Sequence, residues 1–281
     1  MSRDSDLSTR CRRLKFCSRN RGLLSIHCGI ICQKFQTGEV IILQIFQHIR
    51  DYCRHSDSES FLAALFLPDP GRHYVFTLIA LNHELAEIAK KVYEPLLAQM
   101  RLQWWREQLE AGARSNSPVV QALQATIEAQ PLSRELFLTL IDAYGSAYTD
   151  AVQDISSDDF SAIRQAYWYC KLGLVGQAYT PQISDLIQQA IRLECWERSC
   201  LSDMASIPTS MEIEAERNKA RQLFRYAHKA GFGPLFADLV LLRLRLGQLL
   251  SPKWRKCQSG QLSPKQHPWR GVALVYELIL R

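Results

Sequence analysis

The strongest constraint on the fold is an apolar row between residues 78 and 92. Leu78, Leu81, Leu85, Ile88 and Val92 are separated by steps of three and four residues. Side chains at this spacing lie on one face of an α-helix, because a helix completes a turn every 3.6 residues. The row therefore predicts a helix with one buried face, which must pack against other elements of a core.

Most of the remaining chain has the same helical spacing. Pro95 suits the first turn of a second helix, since its missing N–H is not needed there, and Ala98, Leu102, Trp105 and Leu109 form its apolar row. Strand-like alternation is rare, so the sequence predicts an all-α protein with a single helical bundle. Further helices are predicted at 39–53, 59–67, 118–129, 133–152, 159–178, 183–199, 211–230, 234–250 and 268–280.

Short polar segments mark where several of these helices start. Asp57 and Ser58 are typical N-cap residues for the helix at 59–67, and the Pro68–Gly71 segment has the composition of a turn. Ser156, Ser157 and Asp158 are the expected cap of a later helix.

The positive charge of the chain is concentrated at its N-terminus. Residues 1–36 carry eight Lys or Arg and two Asp, a net charge of +6. The whole chain also has a net charge of +6, so the remaining residues are neutral overall. We interpret residues 1–37 as a basic arm, disordered or targeting, and residues 38–281 as one helical domain. An organelle transit segment and an upstream extension without a folded role both fit the arm. No nucleic-acid-binding motif accompanies it, so no nucleic-acid partner is predicted.

The cysteines favour a reducing compartment. Nine are scattered over the chain without a Cys-x-x-Cys pair, which predicts free thiols and no disulfide framework. Cys28, Cys32 and His27 form an alternative, partial zinc site without a second pair of ligands. No run predicts a transmembrane segment, because the apolar stretch 234–250 contains Arg243 and Arg245; these are expected to snorkel from a buried helix.

The stretch from Phe61 to Glu110 resembles the squalene/phytoene synthase family. A Phe-Leu-x-x-x-Phe-x-Pro start is followed by Ala80-Leu81-Asn82, then Glu84, then Arg101-Leu-Gln-Trp-Trp-Arg106. Within the family, the pattern resembles the non-synthase branch that includes the mitochondrial assembly factor for NADH dehydrogenase (complex I) and short proteobacterial relatives. The residues that match this branch are Asn82, Glu84, Glu94, Met100, Arg101, Gln103 and Trp105.

The resemblance implies a bundle of the isoprenoid synthase type around a central apolar cavity. Synthases of the family hold Mg²⁺ with two Asp-rich motifs, and the Mg²⁺ neutralises a prenyl diphosphate. The first motif falls here on Ala86, Glu87 and Lys90, so one carboxylate remains and one position carries the opposite charge. The second motif is expected near residues 184–210, where no paired aspartates occur.

Four residues are candidates for a pocket: Glu84, Glu87, Arg101 and Trp105. Glu84 is expected to point inward and to pair with Arg101, a structural or functional contact. Glu87 is expected to pair with Lys90 or Lys91 on the helix surface. Trp105 is expected in the core, with Trp104 at a helix–helix boundary, although both Trp and Arg side chains suit a lipid or diphosphate pocket.

Asp150 and Asp154 have the spacing of a metal clamp. Because they precede Ser156 and Asp158 at the end of a predicted helix, helix capping explains the same residues. Catalytic residues are left unassigned, and no metal ligands are predicted. His73, His228 and His267 are isolated in the sequence.

Three functions are consistent with these features. The first is a relative with an altered active site that acts in assembly or in isoprenoid or lipid binding at a membrane surface, with respiratory-complex assembly partners and no cofactor. The second is an active, Mg²⁺-dependent prenyltransferase. The third is a helical module that binds proteins through its basic arm. The expected location is cytoplasmic or peripheral on an inner membrane, with mitochondria as the alternative.

Overall fold

The computed structural model describes residues 44–111, 115–149, 152, 154–202 and 209–249. From Ile45 onward, the described residues belong to one compact unit. No strand occurs within the described residues, and the all-α prediction is confirmed. The helices of the described residues are α1 (44–56), α2 (Ser58–Ala64), α3 (Gly71–Lys91), α4 (Pro95–Ala111), α5 (Pro118–Ala129), α6 (Ser133–Ala147), α7 (Ser157–Leu174), α8 (Pro181–Ser202), α9 (Ser210–Lys229) and α10 (Asp238–Leu249).

The apolar rows found in the sequence are the buried faces of α3 and α4. Leu78, Leu81 and Leu85 are fully buried. On α4, Leu102 and Trp105 are buried as well, so the prediction that Trp105 belongs to the core is confirmed. Trp104 lies on the surface and is 42% exposed, which differs from the helix–helix boundary expected for it.

The predicted caps form as hydrogen bonds. The Asp57 carboxylate accepts from the backbone N–H of Ser60 at 3.0 Å, and the Ser156 hydroxyl accepts from the N–H of Asp159 at 3.0 Å. At α9, Thr209 and Glu212 form a reciprocal capping box that the sequence analysis had not identified.

Helix α7 ends four residues before its predicted end at residue 178, whereas α9 ends within one residue of the prediction, and a glycine follows each of the two helices. Gly176 and Gly231 have φ values of 70° and 84°, the left-handed region in which a side chain is strained. Accordingly α7 ends at Leu174 and α9 at Lys229. Turns occupy residues 234–237, so α10 begins at Asp238 and not at residue 234. The predicted helix at 268–280 and the proposed boundary at residue 37 lie outside the described residues.

Two apolar cores fill the bundle, and α7 contributes to both. Tyr167 and Cys170 belong to a first core formed with α1 to α6, whereas Trp168 and Leu172 belong to a second core formed with α8, α9 and α10. Helix α2 is divided in the same way, with Phe61 in the first core and Ala63 in the second. Helices α2 and α7 therefore line the boundary at which the two cores meet.

Candidate functional site

The structure brings the four candidate pocket residues together. Glu84 and Glu87 from α3 and Arg101 and Trp105 from α4 line one cavity of about 270 Å³, which we call the α3–α4 pocket. Lys91 also lines it, so two carboxylates and two cations balance formally. A pocket with this lining has no excess of negative charge with which to concentrate Mg²⁺.

The Glu84 carboxylate pairs with a phenol and not with Arg101. The Tyr52 hydroxyl, on α1, donates to Glu84 Oε1 at 2.5 Å. Burial, together with the hydrogen bond to Glu84 and its charge, raises the pKa of Tyr52 well above its usual value. The predicted ion pair between Glu84 and Arg101 was wrong: the Arg101 side chain is exposed, while the hydroxyl of Tyr52 reaches Glu84 from the neighbouring helix.

Glu87 pairs with lysines, as predicted. Lys90 Nζ lies 2.6 Å and Lys91 Nζ 3.5 Å from the two oxygens of its carboxylate, and His83 Nε2 lies 3.9 Å from one of them. The hydrogen bond from Lys90 is the main reason that the pKa of Glu87 is lowered. The one carboxylate left at the first motif is therefore already neutralised by neighbouring side chains.

A cluster of buried and half-buried charged side chains, which the sequence did not indicate, lies where the two cores meet. We call this cluster the polar seam. Its members come from α2, α7, α8 and α10 and comprise three cations and four carboxylates: Arg164, Lys171, Arg245, Glu59, Glu194, Glu197 and Asp238. The family resemblance implied an apolar cavity in the interior, and this boundary instead holds charged side chains.

Each carboxylate of the polar seam is paired with a basic side chain. Arg164 binds both oxygens of Glu194, with Nε and Nη2 donating over 2.6 and 2.8 Å. Arg245 binds both oxygens of Glu197 over 2.6 and 2.7 Å and also donates to Glu59 at 2.5 Å. Two-pronged pairs of this kind fix both position and orientation.

The fourth carboxylate, Asp238, accepts from Lys171. The ammonium of Lys171 is only 2% exposed; it also donates to the carbonyl oxygen of Leu235 at 2.9 Å and lies 4.7 Å from the centre of the Trp168 ring. An ammonium buried this deeply needs such partners, because an unpaired charge in a protein interior costs several kcal/mol.

The arginines of the polar seam remain charged. Burial disfavours the charged form of Arg164, but the charge of Glu194 and its hydrogen bonds outweigh burial and raise the pKa of Arg164 above its usual value. Burial likewise opposes the charge of Arg245, and the hydrogen bonds and charge of Glu197 raise its pKa. Across the part of the chain that the structure describes, no group of three His, Cys, Asp or Glu side chains is arranged to hold a metal ion.

An exposed apolar row runs along the outer face of α4. Tyr93, Leu97, Met100 and Trp104 are 75%, 47%, 61% and 42% exposed. Leu97, Met100 and Trp104 are spaced by three and four residues and share one face of α4, and Tyr93 lies just before the helix and lines the same groove. We call these four residues the α4 row. They line a groove of about 440 Å³ that shares Lys91, Arg101 and Trp104 with the α3–α4 pocket.

The residues that match the non-synthase branch are divided between the core and this surface. The Tyr144 hydroxyl donates to Asn82 Oδ1 at 3.1 Å and so joins α6 to α3. Glu94, Met100, Arg101 and Gln103 are exposed. These four side chains therefore contribute little to the packing of the core.

The remaining candidates for metal binding and for thiol chemistry do not form a site among the described residues. Asp150 lies outside the described residues, as do Cys28, Cys32 and His27, and Asp154 is exposed. Cys53, Cys170 and Cys195 are free thiols, as predicted. None of the described helices is long and apolar enough to cross a membrane.

Comparisons with known proteins identify relatives of part of the chain. A family model described as squalene/phytoene synthase matches residues 53–192. NADH dehydrogenase (ubiquinone) complex I, assembly factor 6, from Homo sapiens and from Bos taurus, is 32% identical over 98 residues, which cover 32% of this chain and 29% of each relative. The protein of the same name from Rattus norvegicus matches at the same identity and coverage. No solved structure matches.

Proposed function

From the premise that residues 53–192 belong to the squalene/phytoene synthase family, we propose that this protein acts in the assembly of respiratory complex I and does not condense prenyl diphosphates. One observation carries the second half of the proposal: every carboxylate of the polar seam is neutralised by a fixed arginine or lysine. The proposed assembly role is supported by the relatives, which are named as complex I assembly factors. The matched region covers 29% of their length.

Ionisation of a prenyl diphosphate needs cations that the protein can bind and release with the substrate. In the family's synthases these are Mg²⁺ ions on free carboxylates. In the polar seam, Mg²⁺ would first have to displace a two-pronged guanidinium from Glu194 or Glu197. Such a displacement leaves a half-buried arginine unpaired, which costs at most about 3–5 kcal/mol, the value for a fully buried pair.

The first motif position is equally unsuited to Mg²⁺. Ala86 has no ligand atom, Lys90 carries a positive charge, and Glu87 is paired with Lys90 and Lys91. The polar seam and the α3–α4 pocket therefore act as structural ion-pair networks and do not supply open metal sites.

The surface on which an assembly partner docks is the α4 row with its rim. Tyr, Trp and Met are enriched at the centres of protein–protein interfaces, and exposed apolar patches on folded domains commonly mark such interfaces. The rim carries both signs of charge, because Lys91, Arg101 and Glu94 line the same groove. A rim of mixed charge favours a protein partner over a uniformly anionic membrane surface.

Inactivation of the gene in cells that contain complex I tests the assembly role. We expect lower NADH:ubiquinone oxidoreductase activity and an accumulated assembly intermediate on native gels. Re-expression of the wild-type chain and of Glu87→Gln is expected to restore both, because no step depends on a free carboxylate at Glu87. Unchanged complex I after gene loss would refute the assembly role.

The alternative, an active Mg²⁺-dependent prenyltransferase, is favoured by one observation. Four carboxylates from α2, α8 and α10 belong to the polar seam, although no three of them are arranged to hold a metal ion as they stand. Under this alternative, Mg²⁺ and substrate would have to rearrange the pairs of the polar seam. Glu87→Gln would then abolish the release of diphosphate, because Glu87 is the one carboxylate left at the first motif. The two functions therefore differ in the behaviour of this one variant.

A further inference from the structure

A groove between α9 and α10 joins an apolar floor to a strongly basic wall. It has a volume of about 400 Å³, within the range of roughly 300–1,000 Å³ that is typical of small-molecule sites. Phe224, Leu239 and Val240 line its floor and are themselves 8%, 1% and 3% exposed. We call it the α9–α10 groove.

Five basic side chains line this groove. Arg221, Arg225 and His228 follow one another at steps of four and three residues on the same face of α9, so they form a row along one wall. Lys229 extends the row, and Arg243 approaches from α10. The described residues that line the groove include no Asp or Glu.

The acidic residues near the groove are engaged elsewhere. On α9 they occupy the first half, where Glu214 pairs with Arg217 at 3.2 Å and Glu216 with Lys219 at 2.5 Å. From Arg217 to Lys229 the sequence contains no acidic residue. Asp238, at the start of α10, is paired with Lys171 in the polar seam.

The basic side chains differ in what they already contact. Arg221 and Arg243 also interact with other groups of the protein, so an anion would share them. Arg225 and Lys229 are exposed and form no ion pair with any residue in the described ranges. These two cations are therefore the most available for a ligand.

Helix stability alone accounts for part of this charge. His228 and Lys229 lie in the last turn of α9, where cations favourably oppose the helix dipole. Arg225 lies one turn earlier and Arg221 two turns earlier, and Arg243 belongs to another helix. The dipole does not explain why these three guanidinium groups converge on one groove.

We propose that the α9–α10 groove binds the phosphate headgroup of an acidic phospholipid, with the start of an acyl chain on its apolar floor. Guanidinium groups suit phosphate oxygens because their donors form a planar fork, and clusters of Lys and Arg on amphipathic helices bind acidic lipid headgroups. The floor of Phe224, Leu239 and Val240 distinguishes such a ligand from a free phosphate. This proposal does not depend on the assembly role.

The test is calorimetric titration of the full chain with short-chain phosphatidylglycerol below its micelle concentration. The test variant is Arg225→Gln/Lys229→Gln. Its matched control is Arg217→Gln/Lys219→Gln, which removes the same charge from the same helix outside the groove. Glycerol phosphate, inorganic diphosphate and short-chain phosphatidylcholine are the comparison ligands.

We expect binding of phosphatidylglycerol that is weaker by about tenfold or more in the test variant and nearly unchanged in the control. Equal weakening in both variants would show attraction to net charge alone and would overturn the proposal. So would the absence of binding by the wild-type chain, or equally tight binding of phosphatidylcholine. Affinity for glycerol phosphate or diphosphate equal to that for the lipid would overturn the role of the apolar floor and assign the groove to a soluble phosphate compound.

Discussion

Arg164 binds both carboxylate oxygens of Glu194 across the boundary between the two cores, over 2.6 and 2.8 Å. The two residues are thirty positions apart in the chain. Their pairing ties α7 to α8 and satisfies a carboxylate in the segment where the family's second metal-binding motif is expected. The polar seam therefore stabilises the fold, and its paired carboxylates are the main observation against metal-dependent chemistry in this protein.

Arg164→Met is expected to destabilise the protein strongly. Removing one partner leaves the Glu194 carboxylate buried and unpaired, which costs about 3–5 kcal/mol. The free energy of unfolding in urea measures the loss. Arg106→Met is the control, because Arg106 pairs with the exposed Asp142, and such surface pairs contribute only about 0–1 kcal/mol. Equal losses in the two variants would contradict the structural role of the polar seam.

Tyr52→Phe is expected to lower stability by about 1–2 kcal/mol. The change removes the hydroxyl that donates to Glu84; hydrogen bonds to charged groups contribute about 1.5–3 kcal/mol, and partial exposure of Glu84 reduces this value. Tyr74→Phe is a matched control, since Tyr74 makes an edge contact with Phe46 that does not use its hydroxyl. A change for Tyr52→Phe no larger than for Tyr74→Phe would show that the bond to Glu84 does not stabilise the fold.

Alkaline pH is expected to destabilise the protein partly through Cys53. Burial, aided by the charge of Asp57, raises the pKa of Cys53 to about 12 from an ordinary value of 9.0. The native thiol binds its proton more tightly than the unfolded one, so the protonated Cys53 stabilises the folded state. This contribution to the free energy of unfolding is fully present below about pH 9. It is lost as pH rises toward 12, by up to about 1.4 kcal/mol per pH unit.

The free energy of unfolding measured between pH 8 and pH 11 tests this effect (the interval spans the onset of thiol ionisation). We expect a steeper decline for the wild-type chain than for Cys53→Ala, which has no proton to release at this position. Parallel curves would indicate that Cys53 titrates alike in the folded and unfolded chain.

Met100→Glu is expected to abolish docking of the assembly partner without changing stability. Met100 is 61% exposed in the α4 row, so a carboxylate there is solvated in the free protein but would be buried in an interface. Met211, 81% exposed on α9, gives the control Met211→Glu. The measurement is restoration of complex I in gene-deleted cells: Met211→Glu should restore it, and restoration by Met100→Glu would exclude the α4 row as the docking surface.

The helices could be predicted from sequence because their signals are local. The apolar row from Leu78 to Val92, Pro95 at the start of α4 and the cap at Asp57 each depend on residues a few positions apart. The end of α7 was misplaced because a pattern of apolar residues continued past Gly176, whose backbone conformation ends the helix.

The candidate site could be predicted only in part, because its contacts are distant in sequence. The spacing of residues on α3 and α4 was sufficient to predict that Glu84, Glu87, Arg101 and Trp105 line one pocket. Nothing in the spacing indicated that Tyr52, 32 positions earlier, would reach Glu84. Arg245 was expected to snorkel towards solvent, yet it pairs with Glu197 and Glu59, the latter 186 positions away.

The most direct test asks whether the paired carboxylates preclude metal-dependent chemistry. The purified chain is incubated with farnesyl diphosphate and Mg²⁺, and the released diphosphate is measured. An active squalene synthase assayed in parallel establishes that release is detectable. We expect no release above the protein-free blank, with or without Mg²⁺. Release that requires Mg²⁺, stops on chelation and is lost in Glu87→Gln would contradict the proposal and establish the chain as a working prenyltransferase.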